Sequence, residues 1–146
     1  MQSDPNMLER PEDIRGLLTI AKTIAVLGIK TEAQSSQAAY YVPRYLQEAG
    51  YEIVPVPVYF PETTEILGRM VYRRLTDIPG EIDLVNVFRR PADIPGHLHD
   101  ILAKRPRAVW FQLGIRNDEA ARTLSQASVQ VVQDRCIMVD HRTLMR

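Results

Sequence analysis

Residues 24–56 read IAVLGIKTEAQSSQAAYYVPRYLQEAGYEIVPV. The apolar, β-branched run Thr23–Leu27 predicts a buried strand, and a glycine with short polar residues follows it. Ser35 or Ser36 is placed to cap a helix whose apolar face carries Ala39, Val42, Tyr45, Leu46 and Ala49. Pro43 predicts a bend in that helix, and Gly50 suits the position just past its end. Glu52–Val56 then predicts a second strand. A strand, helix and strand joined this closely predict parallel pairing through a right-handed crossover.

The same alternation continues outward. Asp13–Lys22 has the apolar spacing of a short amphipathic helix, with Ile14, Leu17, Leu18 and Ala21 on one face. Residues 57–68 form the longest irregular segment. A short strand is expected at Met70–Tyr72 and a helical turn at Thr76–Pro79. Ile82–Phe88 predicts a third strand, followed by a helix over Ile94–Lys104. Ala108–Gln112 predicts a fourth strand, Asp118–Gln126 a helix, and Val129–Val132 a fifth strand. Ile137–Val139 is apolar again but short. Together these elements predict an α/β fold: an open parallel sheet of about five strands with helices on both faces. One domain is expected over residues 1–146, with 1–12 as a loosely ordered N-terminal extension.

Composition narrows the function classes. The 146 residues are 45% apolar and 25% charged, and 18 basic residues balance 18 acidic ones. Bulk charge therefore offers nothing to nucleic acid or an anionic membrane, and anion binding must come from local placement of Lys and Arg. No apolar run approaches the roughly 20 residues of a membrane span. The polar, acidic stretch 1–11 is unlike a secretory leader, so a cytoplasmic location is expected. Cys136 is the single cysteine. No internal disulfide can form, and the expectation for this thiol is a buried structural one.

Ligands of open parallel sheets bind beyond the carboxyl ends of the strands. Five segments are expected there: Gly28-Ile29-Lys30-Thr31, Pro57-Val58-Tyr59, Phe88-Arg89-Arg90, Gln112-Leu113-Gly114 and Asp134-Arg135-Cys136. The first offers backbone N–H groups, a hydroxyl and an ammonium ahead of a helix start, a natural seat for phosphate. Arg89 and Arg90 bring guanidinium groups suited to phosphate geometry. Gln112 adds an amide and Gly114 a place of close approach. A nicotinamide dinucleotide is disfavoured, because the first turn has one glycine of the usual three and the second strand lacks the ribose-binding acid. His97, His99 and His141 are expected as surface histidines, and no metal site is expected. No nucleophile–base pair stands out, so no catalytic residue is assigned.

Several of these stretches resemble a known family. IAVLG, YLQEAGYEIVPV, EILGRMVY, LTDIP, IDLVNVFRRPADIP, AVWFQLGIRNDEAA and VVQDRC are similar to the stand-alone CoA-binding proteins, over roughly Ile20 to Val139. That family resembles the CoA-binding domain of the succinyl-CoA synthetase α subunit and has a Rossmann-like fold. The resemblance implies that Gly28, Ile29, Lys30 and Thr31, with Ser35 and Ser36, cradle the pyrophosphate of coenzyme A. It implies that Pro57 and Val58 flank the adenine or ribose, that Arg89 and Arg90 meet phosphates, and that Gln112, Leu113 and Gly114 line the pantetheine arm. Two positions depart from the family's pattern. Pro55-Val56-Pro57-Val58 stands where PVNP is usual, and Lys30 stands where the first loop usually has serine.

The synthetase also needs a phosphohistidine domain and a nucleotide-grasping subunit, for which 146 residues leave no room. The implied function is therefore a module that binds coenzyme A or an acyl-CoA, without catalysis of its own. The alternatives are an enzyme acting on a CoA thioester and an interaction protein with a vestigial nucleotide site.

Overall fold

The computed structural model describes residues 4–145. Along the chain run α1 (Pro11–Ile20), β1 (Thr23–Leu27), α2 (Ala38–Glu48), β2 (Glu52–Val56), β3 (Glu65–Ile66), β4 (Arg69–Met70) and β5 (Leu84–Val87). Then follow α3 (Leu98–Lys104), β6 (Ala108–Phe111), α4 (Asp118–Gln126), β7 (Gln130–Val132) and α5 (Ile137–Leu144). Five strands form one parallel sheet in the order β2-β1-β5-β6-β7, and β3 and β4 form a small antiparallel hairpin beside it. The expected open parallel sheet of the Rossmann-like α/β class is borne out.

Strand alternation sends side chains to two cores. On one face Ile24, Val26, Ile53, Leu84, Trp110 and Val132 pack against α1, α2 and α5 through Ile14, Leu18, Leu46 and Ile137. On the other, Ala25, Leu27, Val85, Val87, Val109 and Phe111 pack against Ile101 of α3 and Leu124 of α4. Strands buried on both faces read as continuous apolar runs, which is why they were legible in the sequence. Each fully buried aliphatic side chain contributes about 1.5–3 kcal/mol, so the two cores dominate stability.

The sheet order places the site. The chain leaves β1 for β2 on one side and returns to β5 on the other. The connections after β1 and β5 therefore lead to helices on opposite faces, α2 and α3, and the carboxyl ends of these adjacent strands are where open parallel sheets bind ligands. The opposite end is closed by Asp83, whose Oδ2 accepts the Lys22 and Thr23 N–H groups at 2.8 and 3.0 Å.

Several local expectations shift. The helix expected over Ile94–Lys104 is a 3-10 segment, Pro91–His97, followed by α3. Pro95 lacks the N–H that a longer α-helix would use. The short strand expected at Met70–Tyr72 pairs instead at Arg69–Met70, and the helical turn expected at Thr76–Pro79 lies at Leu75–Asp77. Ile137–Val139 opens α5. Where a loose extension is expected, Met7 forms a parallel bridge with Val131 and Leu8 is buried. Residues 1–3 of that expected extension lie outside the described residues.

Candidate functional site

At this carboxyl edge stands Gly28. Its N–H donates to Val56 O at 2.9 Å, the Phe88 N–H donates to Leu27 O at 2.8 Å, and its φ is +89°. A methyl group at position 28 would overlap the Phe88 carbonyl oxygen. The loops after β1 and β5 thus touch through the one residue that has no side chain.

Beyond Gly28, Ile29 is buried and the Lys30 N–H donates to Ala39 O at 3.1 Å. That acceptor is available because Pro43, four residues on, has no N–H to give it. The proline expected to bend α2 sits within a helix assigned without a break, and it leaves a carbonyl that fastens the loop. Thr31 caps a 3-10 turn over Glu32–Gln34, accepting the Ala33 N–H at 3.3 Å, while Gln34 Oε1 takes the Thr31 N–H at 3.0 Å. The Lys30 ammonium bonds Gln37 Oε1. Glu32 accepts from the Tyr40 hydroxyl at 3.2 Å and from Leu67 N–H at 2.8 Å, which ties the β3–β4 hairpin to this loop.

Ser35 and Ser36 do not cap α2. The N-cap is Gln37, which makes no side-chain cap bond, and both serines are exposed ahead of it. The 3-10 turn capped by Thr31 occupies the residues just before, and displaces the helix start. The backbone N–H groups of Gly28, Lys30, Thr31 and Ala33 are thus engaged within the protein. What this loop presents outward is the Lys30 ammonium, the two serine hydroxyls and the N-terminal end of α2.

The two arginines part company. The Arg89 side chain is 13% exposed and the Arg90 side chain 80%. Arg89 Nε donates to His97 Nε2 at 3.2 Å, Nη1 lies 3.4 Å from the Tyr59 hydroxyl, and Nη2 lies 3.5 Å from Asp93 Oδ2. Its guanidinium carbon is 5.5 Å from the centre of the Tyr59 ring. A methyl group at 28 would also sit 3.2 Å from Arg89 Cδ, so this side chain starts directly beside Gly28. Arg90 pairs with Asp93 at 2.8 Å on the surface.

Of the partners that orient Arg89, Tyr59 falls in one of the expected edge segments, whereas Asp93 and His97 carry no site signal in the sequence. Burial, and secondarily the Arg89 charge, holds the His97 pKa below its ordinary value, so neutral imidazole is available to accept from Arg89. His97 and His141 are half-buried, against the expectation of surface histidines. His141 Nδ1 lies 2.9 Å from the Tyr45 hydroxyl, and burial lowers its pKa. His99 is exposed.

After β2, Pro57 is buried, Val58 is exposed, and Tyr59 is 58% exposed. Arg73 fixes this loop by donating to the carbonyls of Tyr59, Phe60 and Thr63 at 2.8–3.1 Å. After β6, Gln112 is buried, Leu113 is exposed, and Gly114 has φ +85° with its N–H on Asp134 Oδ1 at 2.6 Å. Gln112 Oε1 receives the Asn86 Nδ2 at 3.4 Å and the Ile137 N–H at 3.3 Å. Cys136, expected as a buried thiol, is only half-buried and is the N-cap residue of α5.

A groove of about 380 Å³ lies elsewhere, along β2 and the segment Ile78–Ile82. Its charged lining residues are Glu52, Glu81 and Arg69, a net negative set that disfavours phosphate. The carboxyl edge has the better chemistry for an anion. Among the described residues no group of three or more His, Cys, Asp or Glu side chains could hold a metal ion. No helix among them is long and apolar enough to cross a membrane.

Comparison with known proteins adds the context. A curated relative, the YneT protein of Bacillus subtilis (strain 168), is 36% identical over 129 residues, covering 88% of this chain and 92% of its own. A Thermus thermophilus structure, cell-free ID.343, superposes with a TM-score of 0.85 at 41% identity, covering 93% of this chain and 99% of its own. The dinucleotide-forming acetyl-coenzyme A synthetase 1 of Ca. Korarchaeum cryptofilum shares the fold, with a TM-score of 0.63 at 16% identity. There the match covers 75% of this chain and 25% of the synthetase chain. The family described as CoA binding domain matches residues 22–142, from the residue before β1 into α5, and the chain belongs to that family.

Proposed function

We propose that this protein binds coenzyme A, or an acyl-CoA, across the carboxyl ends of β1, β5 and β6, as a binding module without catalysis of its own. The observation that carries this reading is the pairing of Gly28 with Arg89: backbone bare of a side chain at the carboxyl edge, beside a cation held in place by three neighbours. The pyrophosphate lies between the start of α2 and Arg89, and Lys30 and the hydroxyls of Ser35 and Ser36 complete its surroundings. The adenosine end extends over Pro57 and Val58. The pantetheine arm runs the other way, across β5 toward Gln112, Leu113 and Gly114.

Thermal unfolding with and without ligand tests this. A ligand selective for the folded chain stabilises it by about 2.7 kcal/mol at 100 times its dissociation constant. Coenzyme A is expected to raise the melting temperature, and NAD at the same concentration to leave it unchanged. No shift at millimolar coenzyme A overturns the reading.

A further inference from the structure

Asn86 lies in the middle of β5, fully buried, and its Oδ1 has no hydrogen-bond partner among the described residues. Its Nδ2 reaches Trp110 O and Gln112 Oε1, each at 3.4 Å. Gln112 Oε1 in turn receives the Ile137 N–H, the first of α5. Through Gln112 Oε1 the Asn86 amide is linked to the start of α5, whose N-cap residue is the half-buried Cys136. A buried acceptor without a donor is costly and calls for an occupant that supplies one.

The chain brings Cys136 back over the sheet after β7: Trp110 Nε1 donates to Arg135 O at 2.8 Å, across the end of β6. From the end of β1 to the end of β6 is two strand spacings, about 10 Å. A pantetheine arm extended from the Gly28 loop covers that distance. Its last amide N–H is a donor of the kind that Asn86 Oδ1 lacks, and its sulfur follows two carbons later.

We propose that Cys136 is the thiol-end partner of the site and undergoes thiol–disulfide exchange with coenzyme A disulfides. The inference rests on the coenzyme A reading above. The Cys136 sulfur attacks one sulfur of the disulfide, the Cys136–CoA disulfide forms, and the incoming S–S bond breaks. The departing coenzyme A leaves as a thiol, carrying the proton given up by Cys136. The disulfide is the oxidant, so electrons balance, and a dithiol reverses the step. The protein would thereby report, in a covalent mark, whether its coenzyme pool is oxidised.

Intact-protein mass spectrometry after incubation with coenzyme A disulfide is the test, with oxidised glutathione as the comparison disulfide. The expected result is one coenzyme A per chain, removed by dithiothreitol, absent from Cys136→Ser, and formed at least roughly tenfold faster than the glutathione adduct because binding positions the sulfur. Calorimetric titration of Cys136→Ser with reduced coenzyme A separates the two claims. If this variant binds coenzyme A but the wild-type chain forms no adduct, or reacts equally fast with both disulfides, the exchange proposal is overturned and the binding reading stands. If neither protein binds coenzyme A, the binding reading itself fails.

Discussion

Gly28 and Phe88 occupy the same point of the sheet's carboxyl edge, and there is room for only one of them to carry a side chain facing the other's backbone. Gly28→Ala places a methyl group on the Phe88 carbonyl oxygen at a φ of +89°, a conformation that side chains rarely adopt. Overlap with backbone adds to the dihedral strain, so a loss of about 3 kcal/mol is expected. Gly114→Ala has the same dihedral problem, at φ +85°, but meets nothing within 4 Å. Its expected cost is about 1–2 kcal/mol. Urea unfolding of the two variants checks the order; equal losses would mean that the contact with Phe88 relaxes freely.

Arg89→Ala is expected to weaken coenzyme A binding about tenfold or more, the loss of one charge-assisted hydrogen bond of roughly 1.5–3 kcal/mol. Arg90→Ala, whose side chain is 80% exposed and pairs with Asp93 on the surface, is expected to cost much less. Lys30→Ala should fall between them, because a flexible ammonium gives no bidentate contact. Calorimetric titration of the three variants, each checked for intact folding, decides the order. Wild-type affinity in Arg89→Ala would move the phosphate site elsewhere.

These two positions also show how far the sequence could be read. The bounds of β1, β2 and α4 match the expectation residue for residue, because continuous β-branched runs and a strongly amphipathic helix encode themselves locally. The edge segments were legible too, since they follow from strand ends. Arg89 and Arg90 were not separable, because what distinguishes them is tertiary: Tyr59 lies thirty residues before Arg89 and His97 eight after it. The role of Pro43 was hidden for the same reason. A proline inside a helix predicts a broken bond, but not that Lys30 will take up the freed carbonyl. Ser35 and Ser36 fit a local cap pattern, but Thr31, further upstream, captures the chain first in its own turn.

His97 makes the site sensitive to pH. Burial comes first and the Arg89 charge second in lowering its pKa, against weaker opposing pulls from Asp100 and Asp93. A depressed folded-state pKa means that the unfolded chain binds the proton more readily. The stabilisation is therefore present above the ordinary histidine value and is lost as pH falls through the folded value. His97→Gln keeps an acceptor for Arg89 and does not titrate. Between about pH 7.5 and about pH 5.5 the melting temperature of the wild type should fall more than that of the variant. His141 is shifted in the same direction by burial and remains in both proteins, so the difference between the two curves isolates His97.

Asn86 offers a test in which stability and binding move in opposite directions. Its Oδ1 is buried and unpartnered among the described residues, and both Nδ2 bonds are long at 3.4 Å. Replacing such a group with an apolar one of similar size removes an unmet desolvation cost, so Asn86→Leu is expected to stabilise the free protein by about 1 kcal/mol. Gln112 Oε1 keeps the Ile137 N–H as a partner, which limits the damage to α5. The same substitution removes the acceptor assigned to the last pantetheine amide. Coenzyme A should then bind several-fold more weakly, while 3′-phospho-ADP, the part of the coenzyme without the arm, loses nothing. Thermal unfolding and calorimetry on the one variant read both effects. A lower melting temperature would mean that Asn86 is a satisfied structural amide, held by a bound water, and would withdraw the arm from this part of the sheet.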